Sequence, residues 1–138
     1  MAETFHLSIL TPTASLVDEE VESAIFPGSE GYLGVLAHHA PLLTALAPGK
    51  ITLRRPGGDD VVYAVSGGFL EVSQNRANVL ADALEVASAI DPERAKRALE
   101  RAKARLKDGA KWDQMRAEQS LKRAQNRLAV YENERLLR

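Results

Sequence analysis

Apolar and polar residues alternate along Phe5-His6-Leu7-Ser8-Ile9, the period-two pattern of a half-buried strand. The run from Val21 to Phe26 reads as another strand, ended by Pro27-Gly28. Lys50-Ile51-Thr52-Leu53-Arg54 and Val61-Val62-Tyr63-Ala64-Val65 flank Pro56-Gly57-Gly58-Asp59-Asp60, a hairpin signal. Phe69-Leu70-Glu71-Val72 and Ala77-Asn78-Val79-Leu80-Ala81 flank Gln74-Asn75-Arg76, a second hairpin. About eight to ten short strands at this spacing predict an antiparallel β-sandwich or flattened barrel.

The period changes at Ile90-Asp91-Pro92-Glu93. Asp91 is a good N-cap, Pro92 suits the first helical position, and Glu93 favours the positive end of the helix dipole. Beyond it Ala95, Ala98, Leu99, Ala102 and Leu106 recur at helical spacing, and Lys107-Asp108-Gly109 stops the helix with Gly109 as C-cap. A second helix is predicted from about Lys111 to Leu137, with Ala117, Leu121, Ala124, Leu128 and Tyr131 on one stripe. Two helices with a short connection read as an antiparallel hairpin. The expected architecture is therefore α+β and two-part, with a sandwich over residues 1–88 and a helical hairpin over 89–138. Eight of the nine glycines and five of the six prolines precede residue 90, in line with that division. Alanine stripes let helices approach closely but bury little area, at roughly 0.8 kcal/mol per methylene-sized group. The hairpin is expected to close only marginally, so a ligand or partner could shift it between folded and extended forms.

Charge sharpens the division. Residues 1–90 hold 4 Lys and Arg against 11 Asp and Glu, whereas residues 91–138 hold 14 against 8. The formal net charge of −1 thus hides an acidic sandwich and a basic arm. The 138-residue chain has no cysteine, which excludes a disulfide framework, a thiolate metal site and cysteine catalysis. No apolar run approaches the roughly 20 residues that span a bilayer, and the N-terminal residues lack a signal peptide's basic and apolar regions. A soluble protein is expected, one that can still dock to something in a membrane.

No grouping points to a catalytic centre. His38 and His39 are adjacent and would face opposite ways on a strand, so no metal site is expected there. Gly28, Gly31, Gly34, Gly67 and Gly68 lead into no helix and precede no Lys-Ser or Lys-Thr, so they read as turns and close strand crossings rather than phosphate cradles. Asp18-Glu19-Glu20 with Glu22 reads as a solvated acidic loop. On the arm, Arg94, Arg97 and Arg101 share one helix face, and Arg123 and Arg127 share another. They form either a solvated basic face or, in a closed hairpin, a convergent site for phosphate or a carboxylate-rich surface. Nucleic acid is disfavoured, because the arm has no interleaved aromatics.

Four segments in register resemble the epsilon subunit of bacterial and organellar F-type ATP synthases. They are Gly31-Tyr32-Leu33-Gly34-Val35-Leu36, His39-Ala40-Pro41-Leu42-Leu43-Thr44-Ala45-Leu46, Ser66-Gly67-Gly68-Phe69-Leu70-Glu71-Val72 and Val79-Leu80-Ala81-Asp82. The resemblance covers nearly the whole chain. It implies a ten-stranded sandwich with a C-terminal helix hairpin, and a non-catalytic rotor subunit of the central stalk in a proton-translocating complex. Its implied partners are the gamma subunit, the c-ring and, for an extended arm, the alpha/beta catalytic head, whose ATP hydrolysis the arm would inhibit. The membrane would be met only through the complex, at the cytoplasmic face of a bacterial inner membrane. The loop from Glu30 to His39 is the implied c-ring contact, through Glu30, Gly31, Tyr32, His38 and His39. The family usually has glycine where this chain has His38. Some members bind ATP through a motif of the form Ile/Leu-Asp-x-x-Arg-Ala, matched here by Ile90-Asp91-Pro92-Glu93-Arg94-Ala95. The resemblance assigns phosphate contacts to Arg94, Arg101, Arg123 and Arg127, and adenine recognition or motif geometry to Glu85, Asp91 and Ala95. No cofactor is required on this reading, and ATP would be a regulatory ligand. The competing reading is a stand-alone nucleotide sensor or basic-arm adaptor.

Overall fold

The computed structural model describes residues 2–108 and 111–136, the side chains of 111–113 and 135–136 excepted. The chain divides into two compact units, Met1–Val86 and Ala87–Arg138.

The first unit is built of eight strands: β1 (Phe5–Leu10), β2 (Ser15–Val21), β3 (Ser23–Gly28), β4 (Gly31–Leu36), β5 (Leu42–Arg54), β6 (Asp60–Ser73), β7 (Arg76–Ala81) and β8 (Leu84–Val86). Their order is β2-β1-β7-β6-β5-β3-β4, with β8 on β6. All pairs are antiparallel except β1 with β7, which run parallel. The two long strands carry the sheet from one layer to the other. Leu42–Leu46 of β5 lies against Gly68–Val72 of β6, whose other neighbour is β7. The remainder of β5 continues against Asp60–Ser66, flanked by β3 and β8.

Two expectations are corrected here. Lys50–Arg54, Val61–Val65 and Phe69–Val72 are not separate short strands but segments of β5 and β6, each of which runs through a bend. Counting each bent strand twice would give the ten strands anticipated; as continuous chains there are eight. The bends occur where side chains permit. Pro48 supplies no N–H, and a Cβ on Gly49 would lie 2.6 Å from both Pro27 Cβ and the Tyr32 hydroxyl. Gly67 and Gly68 have φ of 111° and 141°, and a Cβ on Gly68 would lie 2.0 Å from the Leu80 carbonyl oxygen. Val21 to Phe26 is likewise two strands that meet at Glu22, whose N–H donates to Arg54 O (2.8 Å).

The period-two pattern fills the interior. Phe5, Leu7, Ile9, Val21, Phe26, Ile51, Leu53, Leu70 and Val79 are all buried in one apolar cluster. The β6–β7 hairpin closes through Gln74 and Asn75, both at positive φ (50° and 59°), the geometry of a type I′ turn.

In the second unit a short 3-10 turn (Ala87–Ala89) leads to α1 (Pro92–Asp108) and α2 (Lys111–Leu136). Asp91 caps α1, its Oδ1 accepting from the N–H of Glu93 (3.0 Å) and of Arg94 (3.2 Å). The helices pack along one another. Ala95 and Ala102 are buried on α1, and Ala117, Ala124 and Val130 on α2. Ala98, Leu99, Leu106, Leu121, Leu128 and Tyr131 are half-buried. The expected C-cap, Gly109, and the expected final residue, Leu137, lie outside the described residues.

Candidate functional site

The segment from Glu30 to His39 is not a loop. Ser29 and Glu30 form the turn between β3 and β4, Gly31–Leu36 is strand β4, and His38 and His39 follow it. Glu30 and His38 therefore stand at opposite ends of a strand, about 20 Å apart at the usual strand rise. The Glu30 end is tied down twice. Ser29 N–H donates to Ala45 O (2.9 Å), and Lys50 N–H donates to the Tyr32 hydroxyl (3.0 Å). Tyr32 thus lies across the bend of β5, while Glu30 and Gly31 are exposed. At the other end His38 adopts φ 64°, a left-handed conformation that glycine takes without strain. Its N–H donates to Asn75 Oδ1 (2.8 Å), and its Nε2 lies 3.3 Å from Glu3 Oε2. His39 is half-buried, with Nδ1 2.6 Å from Ala40 O.

The outer face made by β2, β1, β7, β6 and the start of β5 carries the feature that the sequence reading missed. Across these strands Leu10 pairs with Leu80, Leu80 with Phe69, and Phe69 with Ala45. Leu10, Leu80 and Phe69 are 40%, 60% and 58% exposed, and Leu43, two residues from Ala45 on the same face, is 73% exposed. The neighbouring rows are polar: Ser8, Asn78 and Glu71, then Glu20, His6 and Arg76. Leu80 sits out of phase between buried Val79 and Ala81, Leu10 follows buried Ile9, and Phe69 precedes buried Leu70. That phase error was a readable signal. A contiguous row of this kind is the sort of surface that protein–protein contacts use.

At the polar end His6 is held between two carboxylates. Its Nε2 faces Asp18 Oδ1, and its Nδ1 lies 3.0 Å from Glu20 Oε1. The hydrogen bond to Asp18, then that to Glu20, raises the His6 pKa above its ordinary value. Glu20 also accepts from Thr4 Oγ1 (3.1 Å), and Glu19 takes a forked pair from Arg55 (2.8 and 3.4 Å). The expected acidic loop is therefore strand β2, and two of its acids are engaged by His6.

The candidate nucleotide residues are divided between the units. Glu85 is on β8, opposite Ala64. Asp91, Arg94, Ala95, Arg101, Arg123 and Arg127 belong to the helical unit. Asp91 is the N-cap of α1, and Ala95 is buried against α2, its N–H donating to Asp91 O (3.0 Å). Those contacts account for the Asp and the Ala of the motif by helix geometry. They leave Arg94, whose side chain is exposed, without a structural duty in this arrangement. Arg101 and Arg123 are exposed too, Arg123 donating to Ser120 Oγ (3.1 Å), and Arg127 is half-buried. Among the described residues no His, Asp and Glu grouping could hold a metal ion, and no helix is long and apolar enough to cross a membrane.

The structure defines a protein with a β-sandwich that carries an exposed apolar row, followed by a basic two-helix hairpin. Comparison with known proteins narrows this. The beta-sandwich domain of the ATP synthase delta/epsilon chain matches residues 4–87, and the long alpha-helix domain of the same chain matches residues 88–132. The chain belongs to the ATP synthase delta/epsilon chain family. It is 46% identical over 133 residues to the ATP synthase epsilon chain of Desulforamulus reducens, covering 96% of this chain and 100% of that one. To the epsilon chain of Moorella thermoacetica it is 44% identical, over 91% and 94% of the two chains. Among solved structures it resembles a chain of the Euglena gracilis mitochondrial ATP synthase, OSCP/F1/c-ring in rotational state 1. There the TM-score is 0.80 at 26% identity, covering 98% of this chain and 82% of that one.

Proposed function

We propose that the protein is a non-catalytic central-stalk subunit of a proton-translocating F-type ATP synthase. The sandwich docks on the gamma subunit and sits on the c-ring, so that rotation reaches the catalytic head. The observation that carries the reading is the apolar row Leu10-Leu80-Phe69 with Leu43, a face suited to a lasting protein contact. Similarity to epsilon chains over nearly the full length supports it. Glu30, on the turn tied to β5, and Gly31, the first residue of β4, are exposed and are the better c-ring candidates; His38 and His39 belong to the opposite end of β4. Attachment is peripheral, at the cytoplasmic face of the membrane and through the complex.

The hairpin is the regulatory arm. Its alanine contact buries little, and its basic surface suits an acidic segment of the alpha/beta head. ATP, if bound on the closed hairpin, is a sensor ligand held by Arg94, Arg101, Arg123 and Arg127 and not a substrate. Arg94 is the motif residue whose exposed side chain helix capping does not employ, so it is the group to test. Calorimetric titration of the isolated protein with ATP should give saturable binding that Arg94→Ala weakens at least tenfold. No binding up to millimolar ATP would remove the sensor and leave the rotor role in place. The rotor role has its own test, direct binding of purified gamma subunit to full-length protein and to residues 1–88. Equal affinity is expected, and loss of binding by the truncated chain would put the docking face elsewhere.

A further inference from the structure

The path of the sheet ends at β2 and at β4, and the two ends are built differently. β2 carries Asp18-Glu19-Glu20 in succession, so a second strand of the same kind would set acid against acid. Charges on an edge strand keep sheets from pairing end to end. β4 has no such guard, because Gly31-Tyr32-Leu33-Gly34-Val35-Leu36 contains neither a charge nor a proline. Its backbone is also placed to pair. Pro27, opposite Tyr32 on β3, has no N–H to donate, which fits a non-hydrogen-bonded position of the ladder. By the antiparallel alternation, the N–H and C=O groups of Tyr32, Gly34 and Leu36 then point away from β3. Among the described strands none lies beyond them. Leu36 O accepts from His39 N–H (3.2 Å) and keeps a second lone pair. Tyr32, Gly34 and Leu36 are exposed, whereas Val35 is buried on the inner face.

We propose that β4 pairs antiparallel with β4 of a second copy of this chain, about a two-fold axis through Gly34. In that register Gly34 stands opposite its own counterpart, and Tyr32 of each copy stands opposite Leu36 of the other. Each of these pairs can exchange two backbone hydrogen bonds. Opposite residues share a face, so each exposed Tyr32 covers an exposed Leu36. Sliding by two residues either way would set Tyr32 or Leu36 against Gly34 and leave that apolar side chain without an opposite partner. No charge lies between Glu30 and His38, so like charges do not meet within the ladder. At its ends Glu30 approaches His38 of the other copy, whose Nε2 lies 3.3 Å from its own Glu3 Oε2, so each acid there meets an imidazole. The contact is small beside the roughly 1,600 Å² of a standard interface, so the dimer is expected to be weak and concentration-dependent. It covers Gly31 and approaches Glu30, so on the c-ring reading above it belongs to chains outside the complex. The pairing itself does not rest on that reading.

The test is sedimentation equilibrium of the full-length chain from about 10 to about 500 μM, a range suited to weak association. Wild type is expected to pass from monomer towards dimer across it. A Cβ on Gly34 would meet nothing within 4 Å, so the fold accommodates Gly34→Lys and Gly34→Glu, and thermal melts confirm that each is folded. Either variant alone sets like charges across the axis, with Cα atoms about 5.5 Å apart, and should stay monomeric at the highest concentration. An equal mixture of the two sets Lys against Glu and should recover the dimer. Thr13→Lys adds the same charge in the exposed β1–β2 connection and should dimerise as wild type does. Wild type that stays monomeric throughout would overturn the inference. A dimer that Gly34→Lys leaves unchanged would overturn it too, by placing the contact on another face. So would a mixture no more dimeric than its components, because the register puts position 34 opposite itself.

Discussion

The side chain of Asn75, in the β6–β7 turn, accepts a hydrogen bond from the backbone N–H of His38 at 2.8 Å. The same amide donates to Thr4 O (3.0 Å), so one side chain joins the end of β4, the start of β1 and a hairpin turn. Asn75 itself stands at φ 59°, a conformation asparagine tolerates. Asn75→Gly keeps the backbone geometry and removes only the two hydrogen bonds. It is expected to cost about 1–3 kcal/mol, read by urea denaturation.

His38 sits at φ 64° with its ring two-thirds exposed. Its pairing with Glu3 is a surface contact of small worth. Replacing it with glycine relieves the backbone and loses little else, so His38→Gly should be neutral or stabilising by up to about 1 kcal/mol. A destabilisation beyond that in chemical denaturation would mean that the imidazole makes a contact of real weight.

Gly68 and Gly34 make opposite predictions although both lie in strands. A methyl on Gly68 would meet Leu80 O and Ala81 Cα at 2.0 and 2.9 Å, at φ 141°. Gly68→Ala is expected to cost more than about 3 kcal/mol, close to the tail of single substitutions. A methyl on Gly34 meets open space, so Gly34→Ala should stabilise by about 0.4–1 kcal/mol through the unfolded chain. Paired thermal melts of the two variants check both.

His6 makes the stability of the sandwich depend on pH. Its pKa is raised in the folded state by Asp18 and Glu20, so the protonated ring favours the fold. That contribution is full below the unfolded value of about 6.5 and is lost as pH rises through the folded value, provided the carboxylates stay ionised. Because these groups are partly exposed, the effect should stay below about 1 kcal/mol. Urea melts from pH 5.5 to 8.5 should show a decline that His6→Gln abolishes; an identical decline in the variant would assign it to another group.

The helix contact is close and thin. Ala124 is 2% exposed, and adding three heavy atoms there overpacks the interface, at about 1–3 kcal/mol. Ala124→Leu should separate or loosen the helices while the sandwich, whose core cluster lies wholly within residues 5–81, keeps its melting behaviour. Hydrogen exchange resolved along the chain distinguishes the two units.

Local chemistry determined much of this protein before any tertiary contact is considered. The period-two runs placed Phe5, Leu7, Ile9, Val79 and Leu70 inside, because adjacent strand residues must face opposite sides. Asp91-Pro92 determined where α1 begins, because an N-cap needs only its own carboxylate and the next two amides. Tertiary structure decided what depends on residues distant in sequence. Pro48-Gly49 and Gly67-Gly68 look like strand ends, yet they are bends, because cross-strand pairing continues on both sides of them. Glu30 and His38 look like one loop, yet the pairing of β4 with β3 holds them apart. The row Leu10-Leu80-Phe69 exists only because β1 and β7 run parallel and in register, a partnership no local pattern encodes.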